Sequence, residues 1–177
     1  MPADTAVMMN QSGYAMSCAA LLAVLVVAGA VTSGQSAPSV PFPQGYRSWQ
    51  HVKSIVVGPE HKSFSRRGGI HHYYANAKAT EGYKTGVFPN GSIIVDEGVT
   101  AKNGEGDATG ILLEGARRGL DVMVKDDQLY KNTGGWGFEH FEGDDPKGQL
   151  GVEQRNQCFQ CHAKRKDRDL VFSVIRP

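Results

Sequence analysis

Residues 91–100 read GSIIVDEGVT, a run rich in β-branched side chains. Turn sequences bound it on both sides, with Pro89-Asn90-Gly91 before it and Asn103-Gly104 after it. β-branched residues between Gly, Pro and Asn turn signals are typical of a strand. We therefore predict that this segment is a strand of a sheet-rich domain.

The flanking sequence predicts more short strands with short helices between them. A short helix leading into a strand is predicted at 46–57, and further strands are predicted at 70–76, 111–114, 120–125 and 136–141. A short helix is expected at 77–83, a capped helical turn at 126–132 and a C-terminal helix at 153–166, with 58–69 as a loop. About five strands and no sustained helical period argue against a helical bundle. The predicted fold is a single α+β domain dominated by an antiparallel sheet.

The N-terminal part of the chain has the composition of an export signal. No charged residue lies between Asp4 and Arg47, and residues 18–31 form an apolar run. That run is short for a bilayer span, which takes about 20 apolar residues, and suits the apolar part of a signal peptide. We predict a signal peptide at 1–37 and an exported, periplasmic domain at 38–177. An uncleaved membrane anchor is the alternative, because no basic residue precedes the run.

The charge balance does not favour a polyanionic partner. The 177 residues carry a net charge of +1, so no basic field favours nucleic acid or an anionic membrane. Once residues 1–37 are removed, two cysteines and a single methionine, Met123, remain.

Those two cysteines form the strongest motif in the chain. Residues 158–162 read CFQCH, which is the C-x-x-C-H pattern of covalent haem c attachment. Two thiols at this spacing can form thioether bonds with the two vinyl groups of a haem, and the histidine that follows can bind the haem iron. We predict one covalent haem c on Cys158 and Cys161, with its iron held by His162. A zinc site completed by other histidines and a redox-active dithiol are the alternatives.

Ordered sequence markers resemble the cytochrome P460 family and the related β-type cytochromes c′ over residues 45–172. They are GYRSW at 45–49, TGVFPNG at 85–91, GLDVMVKD at 119–126, WGF at 136–138, and CFQCH with DLVF at 158–162 and 169–172. The resemblance implies that the histidine is the iron's one protein ligand and that its open side binds nitric oxide or hydroxylamine. It also implies a redox partner protein and leaves a homodimer open.

The resemblance further implies two distal features. True P460 enzymes oxidise hydroxylamine and link a lysine to the haem edge, but the matching position here is Asp96, which weakens the expectation of enzyme activity. The next lysine along the chain is Lys102. The family's distal carboxylate corresponds to Asp121, which we predict to be catalytic. The alternative is that Asp121 lies on a solvated strand face, opposite Leu120 and Val122.

Several side chains could supply a sixth iron ligand, which would make the protein a six-coordinate electron carrier. His71 and His72 are adjacent on a predicted strand, so only one of them can face the haem pocket. Hydrogen-bonded roles are the alternative for both histidines, and packing is expected for Met123. Core positions are expected for the aromatic residues Tyr73, Tyr74, Phe88, Trp136 and Phe138.

Overall fold

The computed structural model describes residues 39–176. The predicted signal segment at 1–37 lies outside the described residues. Within 39–176, no helix combines the length and the apolar character needed to cross a bilayer.

A five-stranded antiparallel sheet forms the centre of the domain. The strands are β1 Gln50–Val57, β2 Gly69–Ala75, β3 Ile93–Asn103, β4 Leu112–Lys125 and β5 Trp136–Glu142. Each strand pairs with its neighbour in sequence, which gives the order β1-β2-β3-β4-β5. The predicted α+β class with a dominant antiparallel sheet is confirmed.

Short helices connect and follow the strands. They are α1 Phe64–Arg67, α2 Ala77–Thr85 and α3 Val152–His162, with 3-10 turns at Tyr46–Ser48, Gly106–Ala108, Lys131–Thr133 and Ala163–Arg168. The α2 helix begins at Asn76, whose side chain accepts a hydrogen bond from the Ala79 amide, and it ends at Gly86 in the left-handed conformation. The predicted C-terminal helix is confirmed, although its last turn narrows to a 3-10 turn. The prediction of 58–69 as a loop missed α1.

The prediction of two separate strands at 111–114 and 120–125 was wrong. One strand, β4, runs through Leu112–Lys125 and pairs with β3 along most of its length, with register shifts near Val99. Gly115 and Gly119 interrupt the apolar pattern, which is why the sequence suggested a break. Gly119 pairs with Gly98 of β3 and Glu142 of β5, and the position requires glycine because a Cβ there would clash with the Phe141 carbonyl oxygen.

The two faces of the sheet carry different side chains. One face packs Val95, Leu120 and Val122 against a cluster that includes Tyr46 and Phe141. The opposite face packs against α3 and the C-terminal segment through a core cluster of Ile94, Trp136, Phe138, Leu170 and Val171 with others. We call this second face the site face, because it is the one covered by the helix that carries the CFQCH motif.

Candidate functional site

The motif residues share the C-terminal half of α3. Cys158 is half-buried and packs with Phe159 against the core cluster of the site face, whereas Cys161 is exposed and both thiols are free. Residues three and four positions apart lie on one face of a helix, so Cys158, Cys161 and His162 are neighbours there. Burial raises the pKa of the Cys158 thiol. The helix thus presents two thiols and an imidazole as one group.

His162 is oriented by its surroundings. Its Nδ1 donates to the Leu170 carbonyl oxygen at 2.8 Å, because a carbonyl can only accept. Its ring lies between Phe138 and Phe172, with ring centroids 5.1 and 5.0 Å away. Burial lowers the pKa of His162, against the opposing effect of the Leu170 hydrogen bond. A neutral ring whose proton is on Nδ1 leaves the Nε2 lone pair available to a metal.

A row of four polar side chains crosses the site face. Tyr73, Asp96, Asp121 and His140 pair in register across β2, β3, β4 and β5. They alternate with the residues of the opposite face and therefore point to the same side as Ile94, Met123 and Phe138. Two carboxylates directly opposite each other on neighbouring strands would repel, so each requires a cationic partner.

Asp96 is neutralised by Arg67 and His71. It accepts hydrogen bonds from the Arg67 guanidinium and from His71 Nδ1, the latter at 2.8 Å. His71 Nε2 donates to the Arg67 carbonyl oxygen, also at 2.8 Å. The hydrogen bond to Asp96 raises the pKa of His71 despite burial. Both nitrogens of His71 face oxygen acceptors, which favours the protonated imidazolium, and neither nitrogen is free to bind a metal.

Asp121 is neutralised from the other side of the row. It accepts a hydrogen bond from His140 Nδ1 at 2.8 Å, and His140 Nε2 contacts Glu142 at 3.3 Å. The Asp121 side chain is 55% exposed. Desolvation alone would raise the pKa of Asp121, but the His140 hydrogen bond and the charges of His140, Arg67 and His71 hold it below its ordinary value. Asp121 is therefore a carboxylate at neutral pH.

The polar row faces the motif helix. The charges of Arg67 and Asp121 both act on the pKa of His162, and the charge of Asp121 helps to raise the pKa of Cys158. Asp121 shares its sheet face with Met123, which pairs with Phe138, and the Phe138 ring lies 5.1 Å from the His162 ring. The fold therefore brings Asp121, predicted from the sequence, to the side of the sheet where Cys158 and His162 lie.

The other sequence candidates lie elsewhere or are already engaged. His72 points to the opposite face, where its Nδ1 contacts Ser54 Oγ at 2.7 Å and its Nε2 lies 2.8 Å from Glu114. Met123 packs against the site-face core. Lys102 is exposed and six residues along β3 from Asp96, a distance of about 20 Å in an extended strand. Across the part of the chain that is described, no group of three or more His, Cys, Asp or Glu side chains is arranged to hold a metal ion.

The expected core positions were mostly correct. Phe88, Trp136 and Phe138 are buried, and Tyr73 is partly buried against the same core cluster. Sequence reasoning missed Arg67 and His140. Arg67 gave no signal because it lies in a segment that reads as a loop. His140 could have been found, since it is two residues after Phe138 on a strand and must share its face.

Comparison with known proteins gives one result for the chain as a whole. The family model described as Cytochrome P460 matches residues 43–173. No curated protein matches the chain significantly.

Proposed function

Because the chain belongs to the cytochrome P460 family, which implies haem binding, we propose that it is an exported mono-haem c cytochrome that binds or transforms small nitrogen oxides. Cys158 and Cys161 would hold the haem through thioether bonds, and His162 Nε2 would bind its iron. When bound, such a haem supplies a redox-active iron with one coordination position open to nitric oxide or hydroxylamine.

The residues present fit that group. The two thiols are free, lie on one helix with the imidazole, and include an exposed member that a vinyl group can reach. The proton of His162 is held on Nδ1 by the Leu170 carbonyl, which leaves the nitrogen that a haem iron requires. This carbonyl-oriented histidine is the observation that best supports the proposal.

An open iron position is supported by the state of the other imidazoles. On the site face, His71 and His140 each use both nitrogens in hydrogen bonds to protein groups. Recruiting either one as a sixth ligand would break its hydrogen bond to Asp96 or Asp121, and the His71–Asp96 bond is buried, so its loss is costly. We therefore favour ligand binding over the alternative of a six-coordinate electron carrier.

Asp121 is the residue we propose to take up protons. Oxidation of hydroxylamine to nitric oxide follows NH2OH → NO + 3H⁺ + 3e⁻, so a base near the bound nitrogen assists it. The electrons would leave to a redox partner protein. Asp121 is ionised at neutral pH and can pass protons to solvent through its exposed side. Since Asp96 cannot form the lysine bond of P460 enzymes, we place nitric oxide binding first and hydroxylamine oxidation second.

Optical spectra of the purified protein, made in a host that attaches haem c, test the proposal. We expect covalent haem that survives acid–acetone extraction, a high-spin resting iron, and rapid binding of carbon monoxide and nitric oxide by the ferrous form. A low-spin resting spectrum that turns high-spin in His71→Ala would establish an electron carrier instead. Protein without haem but with bound zinc, or with neither, would support the remaining alternatives.

Substituting the proposed base tests its role separately. Asp121→Asn should lower hydroxylamine turnover at least about tenfold, at the lower end of what a proton-transfer group contributes. Haem content and carbon monoxide binding should remain unchanged. Asp107→Asn, an exposed aspartate in the β3–β4 hairpin, is the matched control. Equal turnover in the two variants would assign Asp121 to a merely solvated strand face.

A further inference from the structure

The segment after the motif contains an unusual turn. Asp169 and Leu170 have φ values of 46° and 67°, and they are the only residues other than glycine with positive φ in the described part of the chain. A left-handed conformation costs about 1–2 kcal/mol for a residue with a side chain, and it persists only where the surroundings fix it. Something in the fold must therefore hold this pair of residues in place.

The Asp169 carboxylate is the anchor of that turn. One oxygen accepts from the Phe88 amide at 3.0 Å, and the other accepts from Lys125 Nζ at 2.9 Å. The Trp136 indole N–H approaches the same oxygen at 3.4 Å. On the other side of the turn, the Leu170 side chain is buried in the site-face core. The two residues with positive φ are thus held in place by the Asp169–Lys125 ion pair and by burial of the Leu170 side chain.

Lys125 is buried to an extent that is rare for a lysine. Its side chain is 8% exposed, and its ammonium contacts Asp169, the Gly134 carbonyl oxygen at 3.2 Å and Asp127 at 3.4 Å. A buried ammonium is tolerated only when it is paired and hydrogen-bonded, as here. This lysine and Asp169 belong to the sequence markers at 119–126 and 169–172, so the fold pairs two segments that the sequence could only list separately.

The turn connects directly to the motif histidine. The carbonyl oxygen of Leu170 accepts the hydrogen bond from His162 Nδ1. Lys125 is therefore connected to His162 through the Asp169 side chain and the backbone of Asp169 and Leu170, without contacting the imidazole ring or the motif cysteines.

We propose that Lys125 and Asp169 are positioning residues that hold the Leu170 carbonyl on His162 and so set the reduction potential of the haem. This inference rests on the proposed function, because it takes His162 as the iron ligand. A firm hydrogen bond to the distant nitrogen of a ligating histidine makes the ring a stronger donor. A stronger donor favours ferric over ferrous iron, so loosening the turn should raise the potential.

The sign of the effect separates positioning from simple electrostatics. Removing the positive charge of Lys125 would by itself favour ferric iron and lower the potential. Loss of the hydrogen bond between Leu170 and His162 predicts instead that the potential rises. Lys125→Met holoprotein should show a rise of about tenfold in the ferrous-to-ferric ratio at a fixed ambient potential, or about 59 mV for one electron. The frequency of the iron–histidine stretch in the resonance Raman spectrum of the ferrous form should fall at the same time.

Two further variants complete the measurement. Lys131→Met removes the same charge from an exposed lysine and should leave both readouts unchanged. Lys125→Met combined with Asp169→Asn is charge-balanced and keeps a side chain that tolerates positive φ, so it serves if the single variant does not fold. Its potential should also rise, by less, because no unpaired carboxylate is left in the largely buried turn.

The outcomes are distinct from those of the proposed function. An unchanged or lowered potential with an unchanged iron–histidine frequency, in whichever of these variants folds, would overturn the positioning role. Failure of the proposed function would appear already in the unsubstituted protein, as missing covalent haem or as an iron without histidine ligation.

Discussion

Asp96→Asn tests whether the ion pairs of Asp96 with Arg67 and His71 stabilise the fold. The substitution keeps the shape of the side chain and removes the charge that pairs with Arg67 and His71. Removing one partner of a fully buried pair costs about 3–5 kcal/mol. The Arg67 side chain is 36% exposed, so solvent screens part of the interaction. We expect Asp96→Asn to lower the unfolding free energy by about 2 kcal/mol at pH 6.

The loss of unfolding free energy should depend on pH because the ion pair with protonated His71 provides part of the stabilisation. The pKa of His71 is raised in the folded protein above the ordinary value of 6.5. A raised histidine pKa contributes stability that is fully present below 6.5 and is lost as the pH rises through the folded pKa. Arg67 and Asp121 are the other charged groups that share this site. The difference in unfolding free energy between the parent protein and Asp96→Asn should therefore shrink as the pH rises above 6.5.

Denaturant titrations at several pH values measure this difference. Asp144→Asn is the matched control, since Asp144 also pairs with an arginine but its side chain is 83% exposed. The unfolding free energy of Asp144→Asn should fall by less than about 1 kcal/mol at every pH. A difference for Asp96→Asn that does not change with pH would show that His71 is not an imidazolium. A loss as small as that of the control would refute the stabilising role of the pair.

Two further predictions concern the cofactor and the sheet. The optical spectrum should lack the strongly red-shifted band of lysine-linked P460 haem, because the sequence resemblance predicts Asp96 at the lysine position; a tryptic haem peptide joined to a lysine-containing segment would contradict this. Gly69→Ala should cost about 3 kcal/mol or more, because Gly69 has a φ of +127° and a Cβ there would clash with the Val99 carbonyl oxygen. Gly58→Ala faces open space and should be neutral, so equal denaturation midpoints would refute the argument.

The main features of the fold could be predicted because they depend on local patterns. Turn residues located β3 together with its β-branched run and β5 together with its aromatic residues, and the helix expected at 77–83 corresponds to α2. The continuity of β4 could not be predicted, because its glycines are tolerated only through pairing with strands on both sides. Such pairing is a tertiary effect that local propensity does not contain.

The site was predictable where chemistry requires a fixed spacing and unpredictable where it depends on distant partners. The two cysteines and the histidine of the motif are adjacent in sequence. The arrangement of Asp96 with Arg67 joins residues twenty-nine positions apart, and that of Lys125 with Asp169 joins residues forty-four apart. A resemblance of sequence markers could indicate that these segments matter, but only the folded chain shows that they form ion pairs.

The order of the strands bears on how the protein matures. Every strand pairs with the one before it, so the sheet can form from hairpins as the chain emerges, without waiting for its last segment. The α3 helix comes after the sheet and has no fully buried residue, and its second thiol is exposed. Covalent attachment as proposed would therefore find Cys161 accessible while the sheet is already paired, whereas Cys158, packed against the core, would need the helix to lift away from the sheet first. The position of the motif would thus let the sheet assemble before the reactive group is attached.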